Sequence, residues 1–210
     1  YQAFYEGAKI VFRDISDRCT FAFDEGPMYL DMTCFAIRSN NFAVLAYLNS
    51  SLAWYWLKGL TPEVRGGFAR LKRQFVSQIP MPENLPPSLA EFGRFATSAA
   101  RSRKTVVEAT ARRIQSDLGG GAKLTRKLQA WHELDFPAFR AEVKKAFKVE
   151  IPLKERGEWE SWLAVNAAEV KRLTAEIDAT EGEIDAIVYR LFDLAVAEVA
   201  LLEDAIARHP

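Results

Sequence analysis

Residues 79–87 read IPMPENLPP, with four prolines in nine positions. Proline locks φ, lacks an N–H and pushes the preceding residue towards extended backbone. Ile79–Pro87 therefore cannot continue a helix and reads as an extended exit. The text changes character across it, so this stretch decides how the chain divides.

Upstream the text is strand-like. KIVFRDI (9–15), TFAFD (20–24) and MTCFAIR (32–38) are rich in β-branched and aromatic residues, with DEGP and RSNN as turn punctuation. Asn40 or Asn41 is placed to cap a helix running to about Lys58, with Phe42, Leu45, Asn49, Leu52 and Trp56 on one face. Gly59 and Pro62 are expected to end it. Residues 71–78 predict a short helical turn with Leu71, Phe75 and Ile79 facing inward.

Downstream the text is helical. Expected helices cover 88–118, closed by Gly119–Gly121; 122–131; 137–148, with Pro137 in a first turn; 158–193; and 196–207. The fourth carries a heptad-like stripe from Trp159 and Leu163 through Val170, Leu173, Ile177, Ile184 and Ile187 to Leu191. Gly182 would bend it, and Thr180 with Glu183 would restart it as a capping box. The expected class is α+β: a small mixed α/β core over 1–86, then a helical domain over 87–210 with a long helix.

Composition supports a globular chain. Of 210 residues, 49% are hydrophobic and 27% charged, which is not the signature of disorder. No apolar run reaches the roughly 18 residues of a membrane span, so no membrane partner is expected. Cys19 and Cys34 stand in apolar text and are expected to be buried thiols in a reducing cytoplasm. The first residue is Tyr rather than Met, which raises the expectation of a fragment of a longer protein.

The net charge of zero conceals an asymmetry. Residues 58–127 hold fourteen Lys and Arg against five Asp and Glu, a net of +9, between segments of −2 and −7. Such a block suits a polyanion. Its most pointed part is LTPEVRGGFARLKRQFVSQIPMP (60–82), which joins Gly66-Gly67 to Arg65, Arg70, Lys72 and Arg73. Glycines let a backbone approach a bulky ligand, the cations can neutralise phosphates, and Gln74 and Gln78 suit the adenine edge. The competing reading is a plain hairpin turn with solubilising charges, and composition leaves both open.

Catalytic motifs are scarce. His132 and His209 lie near no cysteine, and no phosphate loop, dinucleotide glycine motif or nucleophile elbow occurs. Glu142-Val143-Lys144 and Glu169-Val170-Lys171 resemble half of a nuclease site but equally read as helix salt-bridge decoration. Asp14, Asp17, Asp24, Glu25 and Asp31 sit where turns want a carboxylate. No catalysis, cofactor or metal is expected from these residues.

In one order, KIVFRDIS, FAFDEGP, LAYLNSSLAWYWLK, RGGFARLKRQFVSQIPMP and EIDAIVYRLFDLAVAEVALLED resemble the TaqI-like C-terminal specificity domain of restriction-modification enzymes, densest over 9–82 and 183–204. That resemblance implies a target-recognition domain that docks double-stranded DNA for an adenine-specific methyltransferase, with or without a fused endonuclease, active in defence against phage. It implies that S-adenosylmethionine and an Asn-Pro-Pro-Tyr-type motif belong to a missing N-terminal methyltransferase domain. By position it points to Arg65, Gly66, Gly67, Arg70 and Lys72, joined by Arg73 and Gln74, as DNA-binding. Asn49 and Ser50 also match, and a hydrogen bond into the core is the expected role for them. Two rival readings remain: a helical interaction scaffold using the Trp159–Leu191 stripe, and a metal-dependent nuclease built on Asp14, Asp24 and a Glu-x-Lys triplet.

Overall fold

A computed structural model describes residues 6–64 and 68–208. They form an α+β protein of two compact units, one made of residues 1–97 with 179–210 and the other of residues 98–178.

The first unit opens with β1 (Lys9–Arg13), β2 (Ile15–Ser16), β3 (Ala22–Asp24) and β4 (Cys34–Ile37). β1 lies between β3 and β4, antiparallel to both, with Ile10 opposite Phe23 and Ile37, and Phe12 opposite Phe35. Aromatic text here becomes aromatic packing: the Phe12 ring lies 5.0 Å from Phe21 and 5.5 Å from Phe35. Lys9, fully buried, is neutralised by Asp24 at 2.5 Å. Cys19 and Cys34 are free thiols, and Cys19 packs against the core of the first unit.

The expected single helix from Asn41 to Lys58 is two: α1 (Phe42–Leu48) and α2 (Ser51–Leu60). Asn49 and Ser50 break it. The Asn49 carboxamide accepts from the Phe21 N–H at 3.0 Å and donates to the Phe21 carbonyl at 2.9 Å. The Ser50 hydroxyl caps α2 by accepting from the Ala53 N–H. The break rotates the buried face, so Trp54 and Leu57 are buried while Trp56 is exposed. Gly59 stays inside α2.

β5 (Glu63–Val64) and β6 (Phe68–Arg70) join β2 in a second antiparallel sheet, ordered β2-β6-β5, and α3 (Arg73–Val76) follows. Tyr47 donates its hydroxyl to the Pro80 carbonyl and so ties the proline exit to the core.

The next helix, α4 (Pro87–Asp117), is followed by α5 (Arg126–Gln129), a 3-10 turn at Trp131–Glu133, and α6 (Phe136–Phe147). The helix expected over 122–131 is thus reduced to one turn. Ala130 leaves helical dihedrals, and Trp131 goes into the core with its indole N–H on the Val107 carbonyl. Asp135 caps α6, and Lys148 ends it in the left-handed region at φ 61°. Ile114, Leu128, Trp131, Phe139, Val143 and Trp159 centre the core of the 98–178 unit.

α7 (Arg156–Leu191) runs unbroken through Gly182, about 54 Å at 1.5 Å per residue. Its stripe is spent inside the chain. Trp159, Leu163 and Val170 belong to the second unit's core, whereas Ile184, Ile187, Val188 and Tyr189, with Leu202 of α8 (Val196–Arg208), belong to the first. Asp185 accepts the Ser51 N–H at 2.7 Å and the Ser51 hydroxyl at 2.6 Å, capping α2 from the far end of the sequence. These contacts place residues 179–210 with the α/β core, so the compact units do not follow a division at residue 86. Among the described residues no helix is long and apolar enough to cross a membrane.

Candidate nucleic-acid interface

The strand-to-helix turn at residues 68–79 is pinned by apolar anchors. Leu71 is fully buried, and its N–H donates to the Asp14 carbonyl at 2.6 Å. Val76 and Ile79 are buried one and two turns later. Between these anchors the chain presents its polar residues. Arg70 ends β6 opposite Ile15, Lys72 occupies the cap position of α3, and Arg73 and Gln74 begin that helix. Arg70 and Lys72 are half-buried; Arg73 and Gln74 are exposed. Four of the residues singled out from the sequence therefore share one short turn. Arg65, Gly66 and Gly67 lie outside the described residues.

The state of these cations distinguishes them. Among the described residues, neither Arg70, Lys72 nor Arg73 forms an ion pair, and Lys72 and Arg73 make no side-chain hydrogen bond. Several helical cations elsewhere are neutralised locally: Arg113 with Asp117, Arg172 with Glu169 and Glu176, Arg208 with Asp204, Lys144 with Glu150. Lys72 holds the cap position of the single-turn helix α3 without a side-chain cap hydrogen bond, and Arg73 is its first residue. The Arg70 Nε–H is shielded from solvent without an acceptor, an arrangement that costs free energy until an oxygen is supplied.

Gln74 and Gln78 part company. Gln78 spends its amide on the Gln74 carbonyl at 2.7 Å, whereas the Gln74 carboxamide has no partner among the described residues. Gln74 thus keeps the donor and acceptor that an adenine edge requires. Asn49 and Ser50, which also matched by position, are committed to the Phe21 backbone and the α2 cap. Tyr47, which fixes the proline exit, gave no functional signal in sequence beyond its place in an apolar helix.

Most of the rival residues have structural occupations, although one Asp14 carboxylate oxygen is buried without a hydrogen-bond partner. Asp24 holds Lys9; Asp31 accepts both the N–H and the hydroxyl of Thr33; Glu142 accepts the Thr125 hydroxyl. Glu169 holds Arg172 and Lys144 holds Glu150. Among the described residues no three His, Cys, Asp or Glu side chains converge as metal ligands. Beside Arg73 and Ser77 lies a cavity of about 570 Å³ walled by Phe12, Phe35, Ile37, Val44, Leu48 and Met81. It offers no carboxylate for ribose hydroxyls and does not fit S-adenosylmethionine.

Residues 1–81 match the TaqI-like C-terminal specificity domain, and residues 84–188 match the family described as Domain of unknown function (DUF8810). No match was found among curated proteins or solved structures.

Proposed function

The chain belongs, over residues 84–188, to the family of Domain of unknown function (DUF8810), and its residues 1–81 are a TaqI-like C-terminal specificity domain; we propose that Arg70, Lys72 and Arg73 are its grip on DNA. A specificity domain recognises DNA targets for restriction-modification enzymes and is not itself catalytic. In this reading the three cations seat the turn on the phosphates, and Gln74 addresses a base edge. Arg65, Gly66 and Gly67 belong to the same DNA-binding set by their place in the sequence. The parent enzyme is an adenine-specific DNA methyltransferase of the cytoplasm, with or without endonuclease activity, and its S-adenosylmethionine is held by a separate catalytic domain.

The observation that supports the reading most is that Arg70, Lys72 and Arg73 form no ion pair among the described residues and share one short turn. Phosphate contacts supply affinity and its salt dependence, about 0.9 in the slope of log K against log salt per phosphate. A base contact adds about 1–3 kcal/mol of discrimination. An anisotropy titration of the chain on a short duplex at several salt concentrations tests this. Arg70→Gln with Arg73→Gln is expected to weaken binding and to flatten the slope by about 1.8, two contacts' worth. Equal affinity and slope in the variant would remove the proposal.

A further inference from the structure

Residues 119–127 read GGGAKLTRK and close α4 onto α5. Gly119 and Gly121 donate back to the Gln115 carbonyl. Gly120 and Gly121 sit at φ +53° and +89°, dihedrals that other side chains rarely adopt. A Cβ at either would meet nothing within 4 Å, so these glycines face open space rather than a packed neighbour. Thr125 then caps α5 by accepting from the Leu128 N–H, and Leu128 is fully buried. The turn is thus anchored at both ends while Lys123, Arg126 and Lys127 project from it, all exposed.

Residues 98–178 are well supplied with local partners for their cations. Lys104 and Arg112 flank Glu108, Arg113 bonds Asp117 and lies over the Trp162 ring, and Arg103 donates to Thr174. Lys123, Arg126 and Lys127 engage no partner among the described residues. Lys145 and Lys171 are also unengaged but stand singly. The nearby carboxylate of Glu142 is buried and takes the Thr125 hydroxyl instead. Arg126 and Lys127 belong to the single four-residue turn of α5, whose cap is supplied by Thr125 rather than by either of them. Three free cations within five residues, at a place where they do not serve the fold, suit an external polyanion.

We propose that Lys123, Arg126 and Lys127 form a second grip on duplex DNA, one that touches phosphates only and reads no sequence. The choice of duplex DNA rests on the specificity domain that the same chain carries. The glycine turn beside it offers a backbone free of side chains to a wide ligand, and no base-reading amide accompanies the three cations.

The test is anisotropy of the full chain on a target duplex and a scrambled one across a salt series, with Lys123→Gln/Arg126→Gln/Lys127→Gln beside the native protein. The slope of log K against log salt is expected to become shallower by about 2.7, at 0.9 per phosphate, and by the same amount on both duplexes. The thermal midpoint should hold, since the three exposed side chains engage no partner among the described residues. Lys123→Glu, outside the helix, should weaken binding to both duplexes without affecting folding. Native protein that binds, with a slope the triple variant leaves unchanged, overturns this proposal alone. Native protein that binds no duplex overturns it together with the reading of Arg70, Lys72 and Arg73.

Discussion

Ending the chain at Asp178 should unfold the α/β unit although every strand is retained. The cut removes Ile184, Ile187, Val188, Tyr189 and Leu202, each no more than 8% exposed and all in one core with Ile10, Tyr47 and Leu57. A fully buried side chain of this size contributes about 1.5–3 kcal/mol. Five such side chains amount to roughly 7–15 kcal/mol, an upper range because an unfolded chain already buries part of its surface. The loss of Asp185 also uncaps α2 at Ser51. A domain's whole stability is about 5–15 kcal/mol, so the deficit matches the total. Amide exchange is the assay. In a 1–178 chain, protection should vanish from β1 and α2 yet persist in α6, whose neighbours Leu128, Trp131 and Trp159 remain. Ile187→Ala in the full chain should cost a graded 2–5 kcal/mol or so in a urea titration. Native-like protection of β1 in the truncated chain would refute the argument.

Lys9→Met leaves the Asp24 carboxylate without its buried partner and should cost about 3–5 kcal/mol, measured as a urea midpoint shift. Asn49→Ala orphans the Phe21 N–H and should cost about 1–3 kcal/mol in the same assay. The two aspartates should respond to acid in opposite directions. Burial pulls the Asp24 carboxyl upward, but its hydrogen bond to Lys9 and those to the Gly26 and Met28 backbone outweigh that and hold it below 3.8. The stabilisation through Asp24 is therefore present above 3.8 and lost as pH falls through its lower folded value. Burial lifts Asp185 above 3.8 despite the two Ser51 hydrogen bonds. Its folded form takes up the proton first, so the difference in stability between the native protein and Asp185→Asn should grow in the native protein's favour as pH falls through that raised value towards 3.8. Paired denaturation series at neutral and acid pH check both signs, and a gap for Asp185→Asn that shrinks on acidification would contradict the second.

Local signals fixed many elements. β-Branched and aromatic enrichment marked β1 and β4; Pro137 marked the first turn of α6; the glycine run marked the end of α4. Where a distant group decided the outcome, local signals failed. The apolar period runs through Asn49 without a fault, and the break exists because the Phe21 backbone, 28 residues away, takes that carboxamide. The stripe along α7 likewise reads the same from Trp159 to Leu191, yet its two ends enter different cores. Helical periodicity says which residues are buried and not what they are buried against.

The candidate site shows the same limit in charge. Sequence counting finds a +9 block but weighs Arg113 and Arg73 alike. In the fold, Arg113 is held by Asp117 and two tryptophan faces, whereas Arg73 is exposed at a helix start and forms no ion pair among the described residues. An exposed pair contributes little to stability, about 0–1 kcal/mol, so pairing in itself is no sign of importance. What sets Arg70, Lys72 and Arg73 apart is placement: none forms an ion pair among the described residues, and the three stand together on one short turn. Free charge concentrated on a turn held by Leu71, Val76 and Ile79 carries no cost of ordering at the moment of binding. The Arg70 Nε–H is shielded from solvent and has no acceptor, a cost to the fold that is relieved only where a shift of the turn brings it an oxygen.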